Sequence, residues 1–417
     1  MTPSVPSVVV GAGQAGLGIS RHLQQRGIDH VVFERGRIGE TWRTQRWDSF
    51  RVNTPNMLNR LPNATFPGGP DAFPSATELV GFFADYARRF GLPVHEGVTV
   101  TAVEGTTTGF VVRTDHADFA EVRAGSVVLA CGAQHRAKIP PLAAQIPRRV
   151  VQVHAAAYRN PGALPPGAVL VVGSAQSGCQ IAEDLLDSGR RVYLSVSRVA
   201  RAPRRYRGRD VLDWLDEVGF LDVRPVDLPD PAMQFAPQPQ VSGVGPRGHT
   251  VGLQDLASRG AILVGRLTGV TGSTVTLDDS VADAVRFGDA GSAQIKQMIE
   301  EFIARAGITV PPLEDDPADE PCADPGALAG PPTVDLAAAG ITSIVWCTGF
   351  GGDLSWIRLP VTDDRGAPVH TDGIPQVPGL FFLGLPWLRT RRSGIIAGID
   401  SDAAFIAEAV AAHLAGR

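Results

Sequence analysis

The chain has 417 residues, of which 44% are hydrophobic and 19% charged, with a formal net charge of −5. That is the composition of a folded globular protein long enough for two or three domains with substantial cores. The acidic balance argues against a nucleic-acid partner, and no apolar run approaches the ~18 residues of a membrane span. Met1–Pro6 has no basic region and leads at once into an apolar strand, so the expectation is a cytoplasmic protein without a cleavable signal.

The first element is Val8-Val9-Val10-Gly11-Ala12-Gly13-Gln14-Ala15-Gly16, a strand running through glycines into a helix. The first glycine permits the tight turn, the second lets backbone approach a pyrophosphate, and the third lets helix and strand pack closely. The helix then aims unpaired N–H groups and its positive dipole end at the phosphates. An amphipathic helix follows (Leu17, Ile19, Leu23), then a strand at His30–Phe33, then Glu34. An acid about 20 residues past the glycines is placed to bond a ribose hydroxyl. The turn therefore reads as an FAD site, with Gly11, Gly13, Gln14, Ala15, Gly16, Glu34 and Arg35 as expected contacts.

Residues 41–80 are broken by Pro55, Pro62, Pro67, Pro70 and Pro74 and read as loop. Ala76–Phe90 is predicted helical, and Thr99–Val103, Phe110–Thr114 and Val127–Ala130 as a β-meander. Val98 and the turn Cys131-Gly132 are expected beside the first dinucleotide. Residues 143–168 are rich in proline and cross to a second domain.

That domain opens with Leu170-Val171-Val172-Gly173-Ser174-Ala175-Gln176-Ser177-Gly178, a second phosphate turn with Ala175 in place of the middle glycine. Gly173, Ala175, Gln176, Ser177 and Gly178 are its expected contacts. Helix Gln180–Leu186 and strand Val192–Val196 follow, but no acid does. Instead come Ser197 and Arg198, then Arg201, Arg204, Arg205, Arg207 and Arg209. A carboxylate would repel the 2′-phosphate of NADPH, whereas a serine and arginines would bind it. The second turn thus reads as an NADPH site centred on Ser197 and Arg198, against the alternative of a solvated basic surface.

Further on, residues 201–255 are irregular, 262–282 alternate as short strands, and Ala293–Ala306 is predicted helical. Residues 310–333 read as an acidic, proline-rich surface loop. Ile344-Val345-Trp346-Cys347-Thr348-Gly349 nearly copies Val127–Gly132 and leads back to the first domain, which ends in a helix at about 400–415. The fold class is α/β, with two Rossmann-like dinucleotide-binding domains. The NADPH domain, 155–330, is inserted into an FAD domain made of 1–145 and 335–417.

Cys131, Cys179, Cys322 and Cys347 form no CxxC, so the dithiol of a disulfide reductase is not signalled. The nine histidines have no zinc-site spacing, and no metal is expected.

Gly39-Glu40-Thr41-Trp42-Arg43, Arg46-Trp47-Asp48-Ser49, Val52-Asn53-Thr54-Pro55, the run Pro203–Asp210 and Phe382-Leu383-Gly384-Leu385-Pro386-Trp387 together resemble the class B flavin-dependent monooxygenases. The likeness is to the bacterial CzcO-like flavoproteins and the plant YUCCA-type enzymes, over nearly the whole chain, and it is weakest over 285–333. The group's interdomain fingerprint FxGxxxHxxx[F/Y] is half present: His154 and Tyr158 are kept, with Arg148 and Val150 in place of Phe and Gly.

The resemblance implies that NADPH reduces FAD, that O2 adds to give a C4a-(hydro)peroxyflavin, and that a small organic substrate is oxygenated at N, S or C. It further implies Asn53 as the residue at the reactive flavin edge, Thr41 and Trp42 beside the cofactor, and Gly384 and Ile396 closing the flavin site. A second copy of the chain is the one macromolecular partner allowed for. An NAD(P)H oxidase without oxygen insertion, and a sensor that binds dinucleotides without turnover, remain the alternatives.

Overall fold

A computed structural model describes residues 3–132, 136–241, 243, 245 and 248–416. The first unit begins with β1 (Ser4–Val10), α1 (Gln14–Gln25), β2 (His30–Glu34), the short α2 (Glu40–Thr44) and α3 (Ala76–Phe90). It continues through β3 (Val94–Glu96), β4 (Val100–Thr106), β5 (Gly109–Thr114) and β6 (Glu121–Leu129). The second unit holds β7 (Val151–His154), β8 (Ala168–Val172), α4 (Gln176–Asp187), β9 (Val192–Ser195), α5 (Val211–Glu217) and α6 (Leu253–Ser258). Next come β10 (Ile262–Val264), β11 (Leu267–Thr271), β12 (Thr274–Leu277), α7 (Val281–Ala306), β13 (Thr333–Asp335) and β14 (Ile341–Trp346). The chain closes with β15 (Leu380–Phe382) and α8 (Ile399–Ala415).

β1 is a strand because it is rich in β-branched valine, and it is central because Val8 and Val9 are buried on opposite faces. Its sheet runs β3-β2-β1-β6-β5-β4, with β15 pairing the C-terminal end of β6. β1, β2, β3, β6 and β15 are parallel, while β4, β5 and β6 form an antiparallel meander. The second sheet, β7-β14-β8-β9-β10, is wholly parallel. It too carries an antiparallel meander, β11-β12-β13. The chain is thus built twice on one plan. α8 returns to pack on α1, where a Cβ on Gly18 would stand 2.5 Å from the Ile399 Cγ2, so only glycine permits this approach.

Two sequence expectations change. β13 and β14 belong to the second unit's sheet, with β14 between β7 and β8. The boundary drawn at 335 therefore moves to the Cys347–Phe350 crossing, and the one drawn at 155 moves ahead of β7. The likeness of Ile344–Gly349 to Val127–Gly132 reflects the same position in two copies of one plan, since β6 lies beside β1 as β14 lies beside β8.

The helix predicted over Ala293–Ala306 extends back to Val281. Gly288, Gly291 and Ser292 lower local propensity, but the two glycines are where α7 lies against Ala200 and Arg201, and Ser292 donates to Asp319 at 2.6 Å; a Cβ on Gly291 would meet that of Ala200 at 2.6 Å. A buried stripe of Val281, Ala284, Val285, Gly288, Ser292, Ile295, Ile299 and Ile303 runs the whole length, so packing outweighs propensity.

Candidate active site

At the first turn, Gly11 has φ +104°, and a Cβ there would stand 2.8 Å from the Ala130 carbonyl oxygen. A Cβ on Gly16 would come within 1.8 Å of the Gly11 oxygen, whereas one on Gly13 would meet nothing within 4 Å. The outer two glycines are therefore demanded by the protein itself, and the middle one faces space wide enough for a phosphate. Glu34 is buried: Oε2 accepts from the Ala12 amide at 2.8 Å and Oε1 from the Gly36 amide at 2.9 Å. Gly132, after β6, has φ +75°.

The second turn has the same skeleton. Gly173 has φ +102°, and a Cβ on Gly178 would again sit 1.8 Å from the Gly173 oxygen. Strand register places Val196, not an acid, where Glu34 stands, because Gly11 donates to Phe33 at 2.8 Å and Gly173 to Ser195 at 2.9 Å. Ser197 bonds Ser174, its amide donating to the Ser174 Oγ at 2.8 Å.

The arginine run divides. Arg201 is buried against Asp289 and Asp319, and Arg204 against Asp210. Arg207 pairs with Glu300 and Arg209 with Asp213. Exposed Arg205 donates to the Gly208 carbonyl at 2.8 Å. Among the described ion pairs Arg198 has no carboxylate; it lies exposed, 4.3 Å from the ring centroid of Phe287 on α7. Most of the run is thus structural, and the expectation of a shared phosphate-binding cluster narrows to Arg198 beside Ser197.

Both turns lead to one cleft of about 860 Å³. From the first unit it is lined by Gly11, Gly13, Gln14, Ala15, Glu34, Arg35, Thr41, Trp42, Asn53, Val98, Cys131, Gly132, Gly384 and Ile396, and from the second by Gln176 and Ser177. Gly16 and Gly178 serve instead in helix–strand packing, while Gly173, Ala175, Ser197 and Arg198 lie outside this cleft, at the second turn. Its size and its mixed apolar and polar walls suit a bound dinucleotide with a second ligand against it. Gly13 supplies the open cradle at the α1 terminus that a flavin dinucleotide needs.

Trp42 donates from its indole nitrogen to the Gln14 Oε1 at 3.1 Å, which ties α2 to the start of α1. Asn53 joins the two units: its Oδ1 accepts from the Gln180 Nε2 at 3.1 Å, and its carbonyl from the Arg204 Nη1 at 3.0 Å. Gly394, Ile395 and Ile396 close the cleft just ahead of α8, and Gly394 has φ +85°. Sequence reasoning left out Gln180 and several wall residues: Gln45, Arg46, Trp47, Phe50, Phe350 and Trp356. The aromatic density of 42–50 was the available signal for four of these seven.

His154 and Tyr158 act at the crossing between the units. His154 Nδ1 accepts from the Ala156 amide at 3.2 Å, so Nε2 carries the proton donated to the Gly349 carbonyl at 3.0 Å. Burial lowers its pKa. With both ring nitrogens committed to backbone, it ties the end of β7 to the crossing at Gly349. Tyr158 donates to the Asp184 Oδ2 at 2.6 Å, and the other oxygen of Asp184 accepts from Ser49 at 2.7 Å. Among the described residues no disulfide links the cysteines; burial pushes the thiol of Cys131 up to about 11, that of Cys179 to about 12, and that of Cys347 higher still. A thiol held protonated in this way is a weaker nucleophile than a thiolate. Among the described residues there is no cluster able to hold a metal and no helix long and apolar enough to cross a membrane.

Residues 8–215 match the family model of pyridine nucleotide-disulphide oxidoreductases. The chain is 30% identical to a CzcO-like oxidoreductase of Geobacillus kaustophilus, over 98% of this chain and 99% of that one. It is 25% identical to the rice indole-3-pyruvate monooxygenase YUCCA4, over 71% of this chain and 69% of that one. Among solved structures, a flavin-containing monooxygenase from Stenotrophomonas maltophilia superposes with a TM-score of 0.67 at 19% identity, covering 99% of both chains. A bacillithiol disulfide reductase from Staphylococcus aureus superposes with a TM-score of 0.62 at 13% identity, again over 99% of both. At these identities the superpositions speak to the fold.

Proposed function

The chain belongs to the CzcO-like oxidoreductases, within the class B flavin-dependent monooxygenases, and from that premise we propose that it uses NADPH and O2 to oxygenate a small organic substrate. The observation that carries this reading is the shared cleft: the helix starts at Gln14 and Gln176, one from each phosphate turn, line the same cavity. A hydride donor and acceptor bound at the two turns would meet there.

A bound flavin supplies two-electron acceptance from nicotinamide and activation of O2; the protein supplies position, charge and a dry wall. In this reading the α1 terminus at Gly13–Ala15 holds the flavin dinucleotide's diphosphate, and Glu34, already aligned by two backbone amides, takes its ribose hydroxyls. The turn that starts at Ile396 ahead of α8 lines the cleft, and its positive dipole end would favour negative charge on the pyrimidine end of a bound flavin. Asn53, with its oxygen held by Gln180, keeps its amide nitrogen as a donor to the nicotinamide or to the oxygen being transferred. Ser197 and Arg198 take the 2′-phosphate, and Val196 leaves no carboxylate to repel it.

The lack of a CxxC pair in the sequence supports oxygen, not a disulfide, as the destination of the electrons. A cytoplasmic location belongs to the same proposal. The test is mass balance over a panel of amines, sulfides, ketones and indolic acids, comparing NADPH consumed with oxygenated product. A near-stoichiometric product with one class is expected. NADPH lost only to H2O2 across the panel rejects oxygen insertion.

A further inference from the structure

Arg46 differs from the buried Arg201 and Arg204. It lines the cleft, half-buried, with its guanidinium carbon 4.7 Å from the Trp42 ring centroid and 5.3 Å from that of Phe50. The one described hydrogen bond of its guanidinium is a donation from Nη1 to the Gln45 carbonyl at 2.8 Å, while its own carbonyl accepts from the Arg159 Nη1 at 3.2 Å. Among the described residues it has no carboxylate partner, whereas Arg201 has two and Arg204 has one. Burial pulls its pKa down to about 10, with no opposing effect from an acid.

The carboxylates lining the cleft are committed elsewhere: Glu34 to backbone amides, Glu40 to Arg37 and Asp353 to Arg136. A desolvated cation is costly to keep unless a counter-charge arrives. The contact chain from Arg46 through Trp42 ends on Gln14, the first residue of α1, where the open cradle over Gly13 lies.

We propose that Arg46 is the counter-charge for the diphosphate of a bound dinucleotide, held in the cleft by its contacts with the Trp42 and Phe50 rings. A planar guanidinium can bond two phosphate oxygens at once, which an ammonium cannot. The diphosphate has two sources here, the flavin dinucleotide and the nicotinamide dinucleotide, and the Trp42–Gln14 contact favours the former. The inference rests on the dinucleotide reading of the cleft.

The experiment titrates the apoprotein with FAD, followed by quenching of flavin fluorescence, and the FAD-loaded protein with NADP+, for wild type, Arg46→Gln and Arg46→Lys. Arg46→Gln is expected to weaken FAD about 10- to 100-fold. It should also flatten the dependence of FAD affinity on salt, which a packing role would not alter. Arg46→Lys, which keeps the charge, is expected to recover part of the affinity, and it carries the test if the glutamine variant does not fold. A comparable loss confined to NADP+ assigns the same chemistry to the second dinucleotide. If both affinities and the salt dependence match wild type, the inference is overturned, and a rise in KM for an anionic substrate alone does the same. Failure of the underlying reading is distinct, because wild type itself would then bind neither dinucleotide.

Discussion

The two phosphate turns share their backbone geometry and differ in charge. Gly13 at φ −81°, ψ −168° matches Ala175 at φ −74°, ψ −172°, and both precede twelve-residue helices. In the first turn the amide of Ala12 is taken by the carboxylate of Glu34 at 2.8 Å. In the second the amide of Ser174 faces the hydroxyl of Ser197 at 3.5 Å. The close contacts of Gly16 and Gly178 make one geometry obligatory in both places. Ligand preference is then written by the side chains just past one strand end. Shape is duplicated, and charge is the variable.

The largest test of that comparison is to break each turn separately. Gly16→Ala and Gly178→Ala each drive a methyl into a carbonyl oxygen 1.8 Å away, at an expected cost above about 3 kcal/mol. Gly16→Ala should purify without flavin and melt early. Gly178→Ala should keep more flavin while losing its response to NADPH. The same loss of both ligands in both variants would mean that the units do not act separately.

Next in size is Arg198→Ala. Loss of one charged hydrogen bond, roughly 1.5–3 kcal/mol, should weaken NADPH about 10- to 150-fold and leave NADH nearly unchanged. Equal losses in competition titrations of the two nucleotides would return Arg198 to the solvated surface. Ala175→Gly sharpens the comparison from the other side. Ala175 sits at negative φ, where glycine offers no geometric gain, so NADPH affinity should move by less than about threefold. A larger change would show that the methyl shapes the site.

The smallest effect concerns pH. A hydrogen bond donated from its Nε2 to the Glu183 carboxylate raises the pKa of His249, which lies in the second unit. Its folded pKa exceeds the unfolded one, so its stabilisation is complete below the ordinary imidazole value and fades as pH rises through the raised value. Because the ring is partly exposed, the effect should stay below about 1 kcal/mol. Melting curves across that window should show the decline in wild type and its absence in His249→Gln.

The glycine turns were legible because their demands are local: positive φ at Gly11 and Gly173, and helix–strand contact at Gly16 and Gly178, depend on neighbours within a few residues. α3 was legible for the same reason, since Ser75 and Glu78 form a capping box and Gly91 ends the helix in the left-handed region. The arginine run was not, because the partners of Arg201 lie 88 and 118 residues away. Nor was the length of α7, where glycines that read as breakers are close-approach points against Ala200 and Arg201.

The sequence by itself determined two dinucleotide folds, their order and the sign of the charge after each second strand, since strand, turn and cap chemistry are encoded within short windows. Only the tertiary structure decided which sheet β14 completes, which arginine is left for a ligand, and that Arg46 stands in the cleft without an acid. Those outcomes depend on which distant carboxylates and aromatic rings the fold brings alongside, and a window of a few residues does not contain them.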